Sequence, residues 1–250
     1  MTDQLSEPGG NVRLYVEATL SKGAHVEPDT GQAHYLLHVM RAKVNDRVSL
    51  FNGRDGEWLA RVDSVAKRGC MLVCEKQTER QSNVPDIWLC FAPIKKTPAD
   101  YVVQKATELG VRVLQPVFTH RTIVTRVNDG RMRANAVEAA EQSGRLSVPE
   151  IRAAVTLDKL LTNWPKERRQ IFCDEAGQAP PIAEALKTVT HMRWAVLTGP
   201  EGGFDAAERE KIRAQSFVMP VSLGTRILRA DTAALAALAV WQAVAGDWRA

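Results

Sequence analysis

The residue pattern predicts an α/β protein in two parts. Residues 1–78 read as a small β-barrel with one helix, and residues 85–250 as a mostly parallel sheet covered by helices. Three observations carry this. Short alternating apolar runs separated by turn dipeptides fill the first part. Apolar strands alternate with capped helices in the second. Between them, residues 79–84 (ERQSNV) are polar and Pro85 follows, which marks a linker.

In the first part, strands are expected at 13–16, 47–51, 57–65 and 71–75, with Asn52-Gly53 and Asp55-Gly56 as turns. A helix is expected over 32–41, where Tyr35, Leu36 and Val39 recur on one side. In the second part, 87–91 is a strand, followed by a helix that Thr97 caps, with Pro98 at its first helical position and Asp100 at capping-box spacing. That helix turns Val102, Val103, Ala106 and Leu109 inward and stops at Gly110. Further strands are expected at 111–118, 170–173, 194–197 and 217–223. A helix covers 131–142 with Gly144 beyond its end, and another starts at the capped Asp205-Ala206-Ala207-Glu208. The last helix, 232–245, sets Leu235, Leu238, Val240, Trp241 and Val244 among alanines. A helix apolar nearly all round is buried, so a homodimer is expected to cover part of it.

The chain has 250 residues, of which 45% are hydrophobic and 25% charged. This excludes a disordered chain, a collagen-like repeat and a small disulfide scaffold, and leaves room for two cores. Residues 1–10 are polar and acidic, unlike a secretory signal. The longest apolar stretch, 233–245, is interrupted by Gln242 and is too short to span a bilayer. A cytoplasmic protein without a membrane partner is expected. Cys70, Cys74, Cys90 and Cys173 form no CxxC pair and read as reduced, buried thiols. His34 and His38 have a spacing that zinc sites use, but no third ligand accompanies them, and no metal is expected. The formal charge is +4. Residues 79–133 hold nine basic against five acidic side chains, whereas residues 1–78 hold ten of each. The surplus includes Lys95, Lys96, Lys105, Arg112, Arg121, Arg126, Arg131 and Arg133. It is either a solvated face or a phosphate-contacting surface.

Two segments carry chemistry. Leu197-Thr198-Gly199-Pro200-Glu201-Gly202-Gly203-Phe204 follows a strand and precedes a capped helix, where open α/β sheets bind ligands. Its glycines allow close backbone approach. It is neither a Walker A loop nor GxGxxG, which speaks against a nicotinamide-dependent oxidoreductase. Leu223-Gly224-Thr225-Arg226-Ile227-Leu228-Arg229-Ala230-Asp231-Thr232-Ala233 follows the next strand and enters the last helix. Its arginines suit an anionic or electron-rich substrate, and Asp231 or Thr232 could cap the helix.

These paired loops resemble those of the SPOUT methyltransferases, and more closely the RsmE family, which methylates N3 of a uridine in 16S ribosomal RNA. Further segments agree: His38-Val39-Met40-Arg41 with Leu50-Phe51-Asn52-Gly53, Gln104-Lys105-Ala106-Thr107-Glu108-Leu109-Gly110-Val111, Arg121 after Pro116, and Glu141-Gln142-Ser143-Gly144-Arg145. Asp231 stands where the family commonly has Glu, Thr225 where Pro is frequent, and Asn45 where Gly is frequent. The resemblance implies a PUA-like barrel before a trefoil-knotted methyltransferase domain, a homodimer, and S-adenosylmethionine as methyl donor. It implies cofactor contacts at Leu197, Thr198, Gly199, Glu201, Gly202, Gly203, Leu223, Gly224, Ile227 and Leu228.

The implied chemistry needs a cation near the uracil carbonyls and a base for the N3 proton. Arg229 is the first candidate for the cation and Arg145, from either subunit, the second; Glu141 and Asp231 are candidates for the base. N3 lies on the pairing edge, so the uridine must be exposed or flipped. RNA phosphates are expected at Arg13, Arg41, Lys95, Lys96, Lys105 and Arg121, with the assembled small ribosomal subunit as partner. Ribose 2′-O-methylation of tRNA by another SPOUT enzyme, and a non-catalytic RNA-binding protein on the same scaffold, remain alternatives.

Overall fold

The computed structural model describes residues 12–67, 69–175, 179–188 and 193–249, without the side chains of Lys96 and Thr97. The polar opening segment, 1–10, lies outside the described residues. The chain forms two compact units. One comprises residues up to Asn83 together with Ala140–Val148; the other comprises Val84–Ala139 and Pro149–Ala250.

The first unit is built on a five-stranded sheet in the order β1-β3-β4-β5-β2. Its strands are β1 (Arg13–Tyr15), β2 (His25–Val26), β3 (Arg47–Phe51), β4 (Glu57–Ala66) and β5 (Gly69–Glu79). β1 runs parallel to β3, and the other pairs are antiparallel. Alternation places Leu14, Val48, Leu50, Val62 and Leu72 in one core with Leu36. The expected turns are present: the Asn52 side chain accepts from the amides of Arg54 and Asp55 at 2.9 and 2.8 Å. The expected helix begins earlier. Asp29 and Gln32 form a reciprocal capping box, so α1 spans Thr30–His34 and continues as a π turn over Tyr35–Val39. Asn45 has φ +77°. This is the left-handed region, which Asn tolerates better than most residues.

The segment Ala140–Val148 packs Ala140 and Leu146 on Phe51, with Tyr15 and Val148 beside them. Arg13 ties this together. Its Nε donates to Glu57 at 2.7 Å, and its Nη atoms donate to the carbonyls of Ala140, Glu141 and Arg145 at 2.8, 3.0 and 3.0 Å. Its guanidinium lies 4.5 Å over the Phe51 ring. The first two carbonyls belong to the last turn of α3 (Asp129–Gln142), whose C-terminal groups have no partner within the helix. Arg13 is therefore a helix-end cap in place of the expected phosphate contact. Its donors already have acceptors.

The second unit holds a sheet in the order β12-β10-β11-β6-β7-β8, with β9 also on β7. The strands are β6 (Asp86–Phe91), β7 (Val113–Phe118), β8 (Glu150–Ile151), β9 (Val155–Thr156), β10 (Arg169–Cys173), β11 (Arg193–Thr198) and β12 (Val218–Val221). Every pairing is parallel. Ile87, Trp88, Leu89 and Cys90 are all buried, as both faces of a helix-covered sheet require. The helices are α2 (Lys96–Glu108), α3, α4 (Leu157–Thr162), α5 (Ile182–Lys187), α6 (Ala206–Arg213) and α7 (Ala230–Ala245).

Two helix starts differ from expectation. α2 begins at Lys96 with Lys95 at the N-cap, not Thr97. The Asp100 carboxylate is taken by Arg131 Nε at 2.8 Å and by Asn135 Nδ2 at 2.8 Å, so it does not serve as a cap partner. α7 begins at Ala230 with Arg229 at the N-cap; neither Asp231 nor Thr232 caps it, because both already lie in its first turn. In α7, Ala234, Ala237, Leu238 and Trp241 are buried. Gln242, the polar break in the apolar stretch, donates to Leu109 O at 2.6 Å and accepts from Asp247 N at 3.1 Å, fastening α7 to the end of α2. All four cysteines are free and buried. Burial pushes the Cys90 and Cys173 thiols up to about 12, so they stay protonated. Among the described residues, no helix is long and apolar enough to cross a membrane.

Candidate active site

Parallel pairing brings the carboxyl ends of β10, β11 and β12 to one edge. The loops leaving them surround a cavity of about 670 Å³. Of the ten expected cofactor residues, all but Leu197 line it. Leu197 is fully buried in the core with Phe172 and Phe204, because the strand pleat turns it inward.

The β11–α6 loop is tightly constrained. A side chain on Gly199 would meet the Phe204 ring at 2.8 Å. Phe204 is fully buried and meets Phe172 edge-on at 5.3 Å. Gly203 has φ +65°, and a Cβ there would lie 2.4 Å from Glu175 Oε1. That Glu175 oxygen accepts from Phe204 N at 3.3 Å and lies 3.5 Å from Arg209 Nη1. Arg209 in turn donates to Phe204 O at 2.8 Å.

The segment after β7 clasps the same loop. Arg121 Nη1 donates to Gly202 O at 2.8 Å. His120 N donates to Glu208 Oε1 at 2.8 Å, and His120 Nδ1 lies 2.6 Å from Asp205 Oδ2. Asp205 and Glu208 form the expected capping box of α6. Arg121 thus supports the glycine loop, where sequence reasoning placed an RNA phosphate. Asp174, Glu175 and Arg209 also escaped that reasoning; the signal was the acidic pair that directly follows the apolar strand 170–173. Asp174 is buried and held by Arg213 Nε at 2.8 Å.

The β12–α7 loop is more open. Gly224 to Ile227 are exposed, and Ile227 is 95% exposed at the lip of the cavity.

His120, Asp205 and Glu208 place their potential ligand atoms within 4.8 Å of one another. Each is engaged in the cap or the clasp, and the positive end of α6 repels a cation there. The hydrogen bond to Asp205 raises the His120 pKa, whereas the Glu208 amide and then His120 lower that of Asp205. The histidine contribution is complete below about 6.5 and is lost as pH rises through its raised value. The carboxylate contribution is present above about 3.9 and is lost as pH falls through its lowered value. The clasp is therefore tightest in mildly acidic solution. Asp205→Asn keeps an N-cap acceptor but removes the charge. In an NMR titration, His120 is expected above 6.5 in the wild type and back toward 6.5 in this variant; an identical midpoint in both would refute the coupling.

None of the four expected catalytic residues lines this cavity; Arg229 and Asp231 sit at the start of α7, next in the chain to Leu228 and Ala230, which do. Asp231 Oδ1 accepts from Thr232 N at 2.8 Å. Glu141 and Arg145 belong to the first unit and do not line this cavity. Glu141 Oε1 accepts from Tyr15 N at 2.9 Å. Arg145 is 9% exposed and donates to Ser147 O; burial lowers it to about 10, still protonated at neutral pH. Among the expected RNA contacts, Arg41 and Lys95 are exposed. Lys105 pairs with Glu108 at 2.7 Å. The Lys96 side chain lies outside the described residues.

The family profile described as an RNA methyltransferase domain matches residues 80–242, and one described as an RNA methyltransferase PUA domain matches residues 28–72. Ribosomal RNA small subunit methyltransferase E of Rickettsia conorii is 31% identical over 91% of this chain and 93% of its own length. The chain belongs to the ribosomal RNA small subunit methyltransferase E family. The Synechocystis member is 33% identical over 91% of this chain and 76% of its own length. A Neisseria gonorrhoeae member, solved bound to S-adenosyl methionine, superposes with a TM-score of 0.85 at 28% identity, covering 95% of this chain and 99% of that one. Methyltransferase E proteins thus share both parts of this fold, the PUA domain and the α/β domain.

Proposed function

We propose that this chain methylates N3 of a uridine in 16S ribosomal RNA, with S-adenosylmethionine as donor, on a base exposed or flipped out of its stack within the assembled small subunit. One observation carries the reading: two loops predicted from sequence to hold this cofactor converge on a single cavity, in a chain of a ribosomal RNA methyltransferase family. The cavity residues suit the group. The glycine backbone admits close approach, Leu223, Ile227 and Leu228 offer apolar faces, and Glu175 and Glu201 suit a cationic ligand.

When bound, S-adenosylmethionine supplies a methyl group on a sulfonium, already activated for in-line transfer. The protein's share is alignment, charge and proton removal. Arg229 stabilises the negative charge that spreads over the uracil carbonyls as N3 loses its proton. Asp231 accepts that proton. Glu141 and Arg145 are better used by the packing of the first unit, so the reading rests on the α7 pair. Working as a homodimer in the cytoplasm, with the trefoil knot that the resemblance implies, the protein covers the part-exposed Leu235, Val240 and Val244 of α7 with a second copy.

The test is methyl transfer from labelled S-adenosylmethionine to small subunits lacking the modification, followed by nucleoside analysis. Labelled 3-methyluridine is expected. Another methylated nucleoside would keep the cofactor and overturn the target; neither transfer nor cofactor binding would overturn the reading whole.

A further inference from the structure

Two neighbouring residues grip the glycine loop from the strand beside it. Arg121 lines the cavity, whereas His120 does not. Both stand on the turn that leaves β7, which closes on itself: Thr122 N donates to Thr119 O at 3.1 Å, and Thr119 N donates to Thr122 Oγ1 at 2.9 Å. Arg121 holds the middle of the loop through Gly202 O. His120 holds its far end. In the capping box of α6, Asp205 Oδ1 accepts from Glu208 N at 2.8 Å and Glu208 Oε2 accepts from Asp205 N at 3.1 Å. A capping box needs no more than that. Here the second oxygen of each carboxylate goes to His120: Glu208 Oε1 accepts its backbone N–H, and Asp205 Oδ2 lies 2.6 Å from Nδ1.

The carboxylates around His120 favour its cationic form. Asp205 and Glu208 face it from α6, and Asp158 acts on it from α4, where Lys211 of α6 already holds that carboxylate at 2.6 Å. Arg121 turns its guanidinium to Gly202. As a cation, His120 makes a charge-assisted bond to Asp205; as a neutral imidazole it keeps an ordinary one, about half as strong. Its side chain is 73% exposed, so its proton exchanges freely with solution.

We propose that His120 is a positioning residue for S-adenosylmethionine: its imidazolium locks the β7 turn onto the α6 cap and so fixes the glycine loop on which the cofactor lies. Cofactor affinity then follows the charge of this one side chain. The ligand surface and the clasp belong to one stretch of backbone, because residues 199–203 run from the cavity wall straight to the Asp205 cap. Binding free energies are reciprocal. A charged clasp that favours the cofactor is favoured by it in turn, so cofactor binding holds the proton on His120 more tightly. The inference rests on the cofactor reading above and adds a pH dependence that originates outside the cavity.

The test is calorimetric titration of the full chain with S-adenosylmethionine across about pH 5 to 8, with His120→Asn and His120→Ala beside the wild type. The asparagine offers a neutral donor in place of Nδ1. Wild-type affinity is expected to fall with rising pH by up to about fivefold, the range of an exposed ion pair. His120→Asn is expected to lack this fall, and His120→Ala to bind weakly throughout. Comparing the proteins cancels the titration of the cofactor itself and of Glu175 and Glu201, which line the cavity in all three. By NMR, the His120 midpoint is expected to rise when cofactor saturates the wild type. A midpoint that cofactor leaves unmoved would overturn the proposal, as would a pH slope in His120→Asn equal to that of the wild type. Weaker binding by the alanine variant without either pH signature would reduce His120 to a structural brace and overturn it too. If the wild type binds no S-adenosylmethionine at any pH, the underlying reading falls first; if it binds with an affinity that ignores His120, only this inference falls.

Discussion

Gly199→Leu is expected to abolish S-adenosylmethionine binding while the protein still folds. A Cβ at this position meets the Phe204 ring at 2.8 Å. That ring cannot yield freely, since it is fully buried against Phe172. Overpacking of this kind costs about 1–3 kcal/mol, less than the stability of an ordinary domain. The backbone of 199–203 is the softer partner. It also forms the cavity wall, and it is held in place by Arg121, Glu175 and Arg209. Strain at Gly199 therefore displaces the ligand surface before it unfolds the sheet. Calorimetry on the variant should show no cofactor binding beside a native far-ultraviolet dichroism spectrum. A variant that binds normally would remove this loop from the site.

Arg13→Ala is expected to destabilise the first unit by about 3–5 kcal/mol. The change leaves the part-buried Glu57 carboxylate without its cation, with only the Thr78 hydroxyl at 3.3 Å as a partner, and removes the donor to three carbonyls, two of them at the end of α3. It also uncovers the Phe51 ring. Arg13→Lys is expected to recover little, because one ammonium cannot reach four acceptors arranged for a planar fork. Native-state hydrogen exchange of the β1 and β3 amides gives the measurement. Protection equal to wild type would show that Arg13 is not structural and restore it as a candidate RNA contact.

Much of this molecule was legible from local chemistry. Asp205 and Glu208 announced the start of α6 by spacing alone, and the structure shows both halves of that capping box. The strand 47–51 was readable because its apolar run is bounded by turn residues. Two-residue strands such as β8 and β9 have no period to detect, since their place comes from pairing with β7. The site divided along the same line. The glycine loops were visible because close backbone approach demands glycine. The bracing roles were not: Arg121 and Glu175 reach residues 81 and 29 positions away, and neither the resemblance around Arg121 nor the acidic pair after strand 170–173 says which backbone atom each one holds. The structural role of Arg13 was hidden for the same reason, since its three carbonyl acceptors lie more than a hundred residues away in the chain.

The assignment of Ala140–Val148 to the first unit makes that unit discontinuous in the chain. A ribosome building this protein finishes β5 well before the residues that complete the Phe51 cluster emerge. Until then Arg13 has only Glu57 and the Phe51 ring as partners, and that ring lacks its Ala140 and Leu146 cover. The amino-terminal unit therefore matures only after β6, α2, β7 and most of α3 have been made. Cutting the chain at the polar linker yields a fragment with a permanently open flank, so the excisable piece of this protein is not the one its linker advertises.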